Sequence, residues 1–541
     1  LIKELVKIPS ITESARESEP GLWIMERLSA IPYFKENPKN LQWIATPLEG
    51  SPETLHSLLV RIDSAKPTKR TVLMIGHYDV VDVSVYGDLS QYAFDPEELA
   101  LRFEQSGDDV LYGRGSMDMK CGVAIEIGLI EEFAADREMF DVNIVAAFVG
   151  DEENASAGMR GVLPALAAMQ KEGLDFLAAI NTEPGEAGQS GVFGPMVFLG
   201  TLGKLMPSFY VKGCGAHVGN YYCGYSSALA LSRLVTYAEG NPHLADPLHG
   251  VSQPSWTCLD MGIIREGYSV TIPDRAYAYF NCFTTNNTPA AVAAQMRHIA
   301  AYAMNQTSAQ LTDSNRGLIA AGYDGGGFVP PESKVYTLEE LTDIARRNYG
   351  EFFDKDLNSY IEKIGPGDMR KRGIKVVDRI ADMSGEEGPF AVCFFLPPWL
   401  PVRTDLTDDP RDKAVVQAAR NVETQLFEKY GMKMREIELF SGLCDLSYVG
   451  AKVSSEDIVS LEQNMPGWGS IYKIPLADMK SITMPVLNLG PSGNDPHKKT
   501  ERLNLHYSLD ILPSLLQSAI IEIADLVPQV SSDCQQYKRQ A

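Results

Sequence analysis

The chain has 541 residues, of which 45% are hydrophobic and 22% charged, and its formal net charge is −23. That length exceeds one ordinary domain and supplies a large core without disulfide or metal staples. The acidity excludes a nucleic-acid binder, which needs a basic face against phosphate, and no apolar run reaches the ~18 residues of a membrane span.

From Leu1 to about Ile31 the pattern reads helix, loop, helix, and it is already helical at Leu1. No signal peptide is visible, although a removed upstream segment stays open. "TVLMIGHYDVVD" is an apolar run ending at Gly76-His77, the pattern of a buried strand. In "GSMDMKCGVAIEIGLIEEF", Val123, Ile127 and Ile130 recur at helical spacing, so a helix begins just after Asp118. "VNIVAAFVG" is the next buried strand, running into Asp151-Glu152-Glu153. "GVLPALAAMQKEG" is a helix, and "FLAAINTEPG" a strand ending near Glu183. Strands alternating with helices predict an α/β domain, a mostly parallel sheet with helices on both faces.

Near Gly200 the pattern changes. "KLMPSFYVKG" and "SWTCLDMGIIREGYSVTIPDRAYAYFNCFTT" read as amphipathic strands, flanked by the helices "SSALALSRLVTYAEG" and "TPAAVAAQMRHIAAYAMNQ". From about Thr307 to Glu387 regularity breaks, with a Gly-rich "YDGGGFVPPESK" and a polar helix "YTLEELTDIARRNYGEFF". "PFAVCFFLPPWLPV" is a buried strand. After Asp405 the alternation returns, with the long helix "RDKAVVQAARNVETQLFEKYG", the strand "SITMPVLNLGPSG" leading to His497, and a last helix from about Ser508 to Leu526. The tail "SSDCQQYKRQA" reads as frayed. The expected organisation is a catalytic domain split into 1–200 and 405–541, around an α+β domain, 201–404, that carries its own insertion at about 307–387.

The eight cysteines form no C-x-x-C pair. They predict buried free thiols in a reducing compartment, hence a cytoplasmic protein. The basic run Met369-Arg370-Lys371-Arg372 reads as a solvated surface or helix end.

Chemistry-bearing residues gather at the ends of buried strands or in the loops beyond them: His77 with Asp79, Asp118, Glu152 with Glu153, Glu183, and His497. In open α/β sheets that edge collects ligands. Singly each is weak, since a lone His after a strand is usually structural and a Glu before Pro is usually a turn. Jointly they supply the carboxylates and imidazoles that zinc accepts. Packed carboxylates repel, and one or two divalent cations relieve that cost. Competing motifs fail: "GRGSMD" has Asp118 at the third glycine of a dinucleotide fingerprint, and in "GPSGNDPHKKT" no Lys directly follows the glycine as a phosphate loop requires.

The segments "GHYDVVD", "LYGRGSMDMKCG", "GDEENASAGMRG", "NTEPG", "GCGAHVG" and "GPSGNDPHKKTERL" occur in this order over nearly the whole chain. Together they resemble the co-catalytic zinc metallopeptidase family that includes aminoacylase, acetylornithine deacetylase, succinyl-diaminopimelate desuccinylase and glutamate carboxypeptidase. The length and "PFAVCFFLPPWLPV" resemble its arginine-utilisation subgroup. The resemblance implies a zinc peptidase domain with an inserted lid and dimerisation domain, and a homodimer formed through that lid. It implies two divalent metal ions, zinc by preference, with cobalt and manganese also suited to such ligands. His77 and Glu183 would hold the first ion, Asp118 would bridge, and Glu153 and His497 would hold the second. Asp79 would orient His77 through its other ring N–H, Glu152 would be the general base toward a metal-bridging water, and His217 would reach the partner's site to stabilise the oxyanion. The implied activity is amide hydrolysis in a small N-acyl amino acid or short peptide. A carboxypeptidase or dipeptidase of the same fold, and an inactive metal-binding module, are the alternatives.

The lid departs from the family in two places. Val270 or Thr271 stands where many members have Asn, and Asn281 and Phe283 occupy a stretch where many have an Arg for the substrate carboxylate. Lys204, Arg275 and the insertion are the alternatives left for that task.

Overall fold

The computed structural model describes residues 1–103, 109–185, 195–249, 253–265, 267–323, 330, 332–442 and 444–528. The C-terminal tail with Cys534 and most of the Gly-rich stretch at 324–331 lie outside the described residues. The chain divides into two compact units. The first is Leu1–Leu202, Pro401–Lys452 and Pro475–Ala541, and the second is Gly203–Leu400 and Val453–Ile474.

In the first unit an eight-stranded sheet runs in the order Leu41–Pro47, Thr54–Ile62, Asn143–Val149, Arg70–His77, Asp175–Asn181, Val486–Asn488, Met196–Phe198, Arg435–Ile437. Its centre is parallel, from Asn143–Val149 across to Val486–Asn488. Toward Leu41–Pro47 the pairs are antiparallel. The central strands are buried on both faces, which explains their unbroken apolar sequence. Val72 and Met74 join the core beneath helix Lys120–Ala135, and helix Leu512–Leu526 packs with helix Pro410–Tyr430 in the same core. Helix Ala157–Lys171 lies against Leu41–Pro47, Thr54–Ile62 and Asn143–Val149. The strand expected in "SITMPVLNLGPSG" is short, Val486–Asn488, because Gly490 and Pro491 end it.

In the second unit the sheet order is Thr257–Ile263, Arg275–Thr284, Pro207–Lys212, Phe390–Phe395, Lys334–Thr337, with Gly203–Leu205 pairing onto Arg275–Thr284. The expected helix after Thr288 does not stop near Thr307. It runs Pro289–Ala320, with Thr307 and Leu311 buried on its continuing apolar stripe. The basic run opens helix Met369–Ser384, where the Asp368 side chain accepts from the Arg370 and Lys371 amides. No helix among the described residues is long and apolar enough to cross a membrane. The seven described cysteines are all free. Cys121, Cys282, Cys393 and Cys444 are buried as expected, but Cys214 and Cys258 are half-buried and Cys223 is exposed.

Candidate metal centre

Parallel strands place their carboxyl ends on one edge, and the candidate residues of the first unit converge there. His77 ends its strand, Glu152 and Glu153 follow Asn143–Val149, and Glu183 follows Asp175–Asn181. Asp118 immediately precedes Met119, the N-cap of helix Lys120–Ala135, and His497 sits in the loop after Val486–Asn488. That last segment crosses close to Glu183. A Cβ on Gly490 would lie 1.9 Å from the Glu183 carbonyl oxygen, so only glycine permits the approach. Asp151 (φ 62°) and His497 (φ 62°) hold left-handed backbone. Such conformations cost on the order of 1–3 kcal/mol and persist where surrounding bonds impose them. For Asp151 those bonds are its amide to Glu17 Oε1 (2.7 Å) and its carboxylate accepting the Ala157 amide (2.9 Å).

His77 Nε2 lies 3.1 Å from Glu183 Oε1, 3.3 Å from Asp118 Oδ1 and 3.8 Å from Glu152 Oε2. His497 Nε2 lies 3.2 Å from Asp118 Oδ2 and 3.1 Å from Glu153 Oε1. Asp118 therefore turns one oxygen to each imidazole. Three groups have ligand atoms within 4.8 Å of one another: His77 with Asp118 and Glu183; His77 with Glu152 and Glu153; and Asp118 with Glu153 and His497.

Asp79 does more than orient an imidazole. Its backbone oxygen is 3.1 Å and its Oδ1 3.4 Å from His77 Nδ1. Its carboxylate also accepts the Glu152 amide (3.2 Å), the Glu153 amide (3.3 Å) and the Thr12 hydroxyl (2.9 Å). One buried side chain thus braces a histidine and the backbone of both acids. Neither that brace nor the contribution of Thr12 and Glu17 had a sequence signal, because each depends on chain segments far apart.

The arrangement fits a pair of divalent cations. His77 Nε2 and Glu152 Oε1 are buried with no hydrogen-bond partner. With Nδ1–H turned toward Asp79, Nε2 presents a lone pair to two carboxylates, a repulsive contact unless a cation or proton intervenes. The donors are imidazole and carboxylate, which zinc accepts.

Electrostatics point the same way. Burial opposes charge on His77, but Glu183, Asp118 and Asp79 outweigh it and raise its pKa well above the ordinary value. Bonds to Asp118 and Glu153 push His497 up to about 11. Burial raises Glu183 to about 8 against the pull of His77, and it raises Glu152 and Glu153 as well. Burial also opposes ionisation of Asp118, yet bonds from His497 and His77 hold it below the usual carboxylate range. Nearby Asp445, pushed to about 7 by burial, has an Oδ1 without a partner.

A proton-linked uptake of metal follows. Without metal at pH 7, His77, His497 and Glu183 all carry protons that a cation must displace. Metal affinity is expected to rise with pH until Glu183 ionises near 8, and more gently up to about 11 as His497 does. Titration calorimetry in buffers of different ionisation enthalpy should show net proton release on metal binding at pH 7. Binding with no proton release would remove these residues from the ligand set.

Of the other sequence-derived candidates, His217 belongs to the second unit. It is exposed there, and its Nδ1 accepts the Gly219 amide (3.1 Å). Arg275 is not available for a substrate carboxylate, because Asp378 (2.8 Å) and Asp382 (2.8 and 3.0 Å) hold its guanidinium. Asn281 and Phe283 sit in strand Arg275–Thr284, opposite Thr257 and Lys204. Two residues missed from sequence are Arg114 and Glu501, a buried pair under the Asp118 loop.

The profile of Peptidase family M20/M25/M40 matches residues 73–513. The chain is 29% identical over 537 residues to the uncharacterized protein YqjN of Bacillus subtilis, covering 96% of this chain and 95% of that one. It is 26% identical over 535 residues to protein RocB of the same organism, covering 97% and 94%. Full-length similarity to these two is consistent with the arginine-utilisation subgroup. A succinyl-diaminopimelate desuccinylase of Methylobacterium nodulans is 29% identical over 300 residues, 55% of this chain and 69% of that one. Among solved structures, a tripeptidase from Staphylococcus aureus superposes with TM-score 0.53 at 13% identity, over 97% of both chains. The M20 metallo-carboxypeptidase Sso-CP2 of Sulfolobus solfataricus superposes with TM-score 0.52 at 12% identity, over 97% and 98%, so the fold is shared. The chain belongs to Peptidase family M20/M25/M40, and it is a metal-dependent amide hydrolase of that family.

Proposed function

We propose that the chain hydrolyses the amide bond of a small N-acyl amino acid or short peptide, with Glu152 as the general base. The observation that carries this reading is Glu152 Oε1, buried and unpartnered in a residue whose ligand atom lies close to those of His77 and Glu153. Two divalent ions, zinc by preference, would be held by His77 and Glu183, by Asp118 between them, and by Glu153 and His497; when bound they lower the pKa of a water and polarise the amide carbonyl. Glu152 takes a proton from the attacking water and returns it to the leaving nitrogen. Asp79 keeps His77 in the tautomer with Nε2 unprotonated. His217, whose Nδ1 accepts a backbone N–H, carries its own proton on Nε2 and so offers a donor to the oxyanion.

The test is metal content together with hydrolysis of a mixed panel of N-acyl amino acids and dipeptides, before and after chelation. About two ions per chain with chelator-sensitive cleavage is expected, and the preferred panel members separate a deacylase from an exopeptidase. Firmly bound metal with no cleavage of either class would overturn the substrate reading.

A homodimer through the second unit completes the proposal. Its edge strand Thr257–Ile263 exposes Leu259 (51%), Met261 (46%) and Ile263 (40%), an apolar edge that a monomer would leave open to pairing. If His217 serves the partner's site, mixing H217A with E152Q subunits restores activity through hybrid dimers. No recovery after verified subunit exchange would sink the shared site. The free thiols support a reducing, cytoplasmic setting.

A further inference from the structure

Glu501 lies four residues beyond His497, in the charged stretch "HKKTER". In the structure it is 1% exposed, and so is Arg114. The Arg114 guanidinium donates to Glu501 Oε2. The other oxygen, Oε1, accepts two consecutive backbone amides, Met117 (3.2 Å) and Asp118 (3.3 Å). The Glu501 backbone carbonyl also accepts the Gly113 amide (3.3 Å). One residue of the His497 loop therefore grips the Asp118 loop at Gly113, Arg114, Met117 and Asp118. Beside this grip the two segments pair as strands, Arg502–Asn504 against Val110–Tyr112. Asp118 and His497 belong to the same ligand group, with Glu153 as its third member. Their separation depends on how these two loops are held together.

We infer that Glu501, anchored by Arg114, is a positioning residue that sets the Asp118–His497 spacing and thereby the affinity of the second metal position. The first position draws His77 and Glu183 from strand ends that the central sheet already aligns. The second takes His497 from a loop, so it depends on the clamp. A residue that aligns a ligand's backbone acts on affinity as an outer partner does, by about 10–100-fold. The inference rests on reading these residues as metal ligands, and the experiment separates the two claims.

The 541-residue chain is stripped with chelator and titrated with Co2+ alone, following visible absorption and calorimetry. Wild type should take up two ions and H497A should lose one; if H497A binds both as wild type does, the ligand reading itself fails. E501Q should then weaken one position by about 10–100-fold, leave the other within about threefold, and at limiting Co2+ give the H497A spectrum. R114K, which keeps the positive charge but not the forked grip, should weaken the same position and serves as the read if E501Q does not fold. Wild-type affinity at both positions in folded variants would overturn the clamp. Equal weakening of both positions would also overturn it, since that is the mark of a general loss of structure.

Discussion

Replacing Glu152 by Gln lowers kcat by about 100- to 10,000-fold, the usual contribution of a positioned general base, while metal content stays at the wild-type level. The amide keeps the shape of the side chain but cannot accept a proton. Glu152 is suited to the exchange because its Oε1 is buried and unpartnered, whereas Glu153 is already bonded to His497. Burial raises Glu152, and the charges of Glu183, Glu153 and Asp445 raise it further against the pull of His77. Bound cations would oppose that rise and favour the ionised form that a base requires. KM should move little, because the lost interaction belongs to the transition state. E153Q should differ in kind, losing metal along with activity. An E152Q enzyme within tenfold of wild type would place the base elsewhere.

Asp118→Ala should have the larger effect, lowering activity at least about 1,000-fold through loss of both ions rather than one. Asp118 turns separate oxygens to His77 and His497 and belongs to two of the three ligand groups. Its removal also takes one carboxylate from each of two imidazoles, leaving His77 with Glu183 and His497 with Glu153. In the metal-free protein Asp118 is held below the ordinary carboxylate range, so its ionised form stabilises the fold above about pH 4, and that support is lost on acidification through its folded value. D118A should therefore unfold more easily than metal-free wild type at pH 7, with the difference shrinking in acid. Metal analysis and urea unfolding of the stripped proteins check both parts. Retention of one tight ion by D118A would show that Asp118 serves a single position.

The candidate ligands at the strand ends were legible because each follows an apolar run. His77 closes "TVLMIGH", Glu183 follows "FLAAINT", and the acid pair follows "NIVAAFVG". Buried parallel strands are unbroken in hydrophobicity, so the polar residue after each one marks the ligand-collecting edge. The antiparallel side of the sheet was less legible. Leu41–Pro47 and Thr54–Ile62 are partly exposed, and their mixed sequences carry no such sign. Helix Pro289–Ala320 outran its expected end because exposed polar residues such as Gln310 and Asp313 occur within it without breaking the buried stripe of Thr307, Leu311 and Asn315.

By itself the sequence determined the α/β class, the family resemblance and the identity of the residues at the strand ends, since these follow from local periodicity and from motifs read in order. Tertiary structure decided everything that needs two distant segments in contact. It committed Arg275 to Asp378 and Asp382, joined Val453–Ile474 to the second unit through helix Ser455–Asn464 packing on Pro289–Ala320, and turned Glu501 from a residue in a charged loop into a buried clamp on Asp118. A charged side chain on its own carries no sign of whether it will meet water or a partner; burial and pairing are set by the fold that surrounds it.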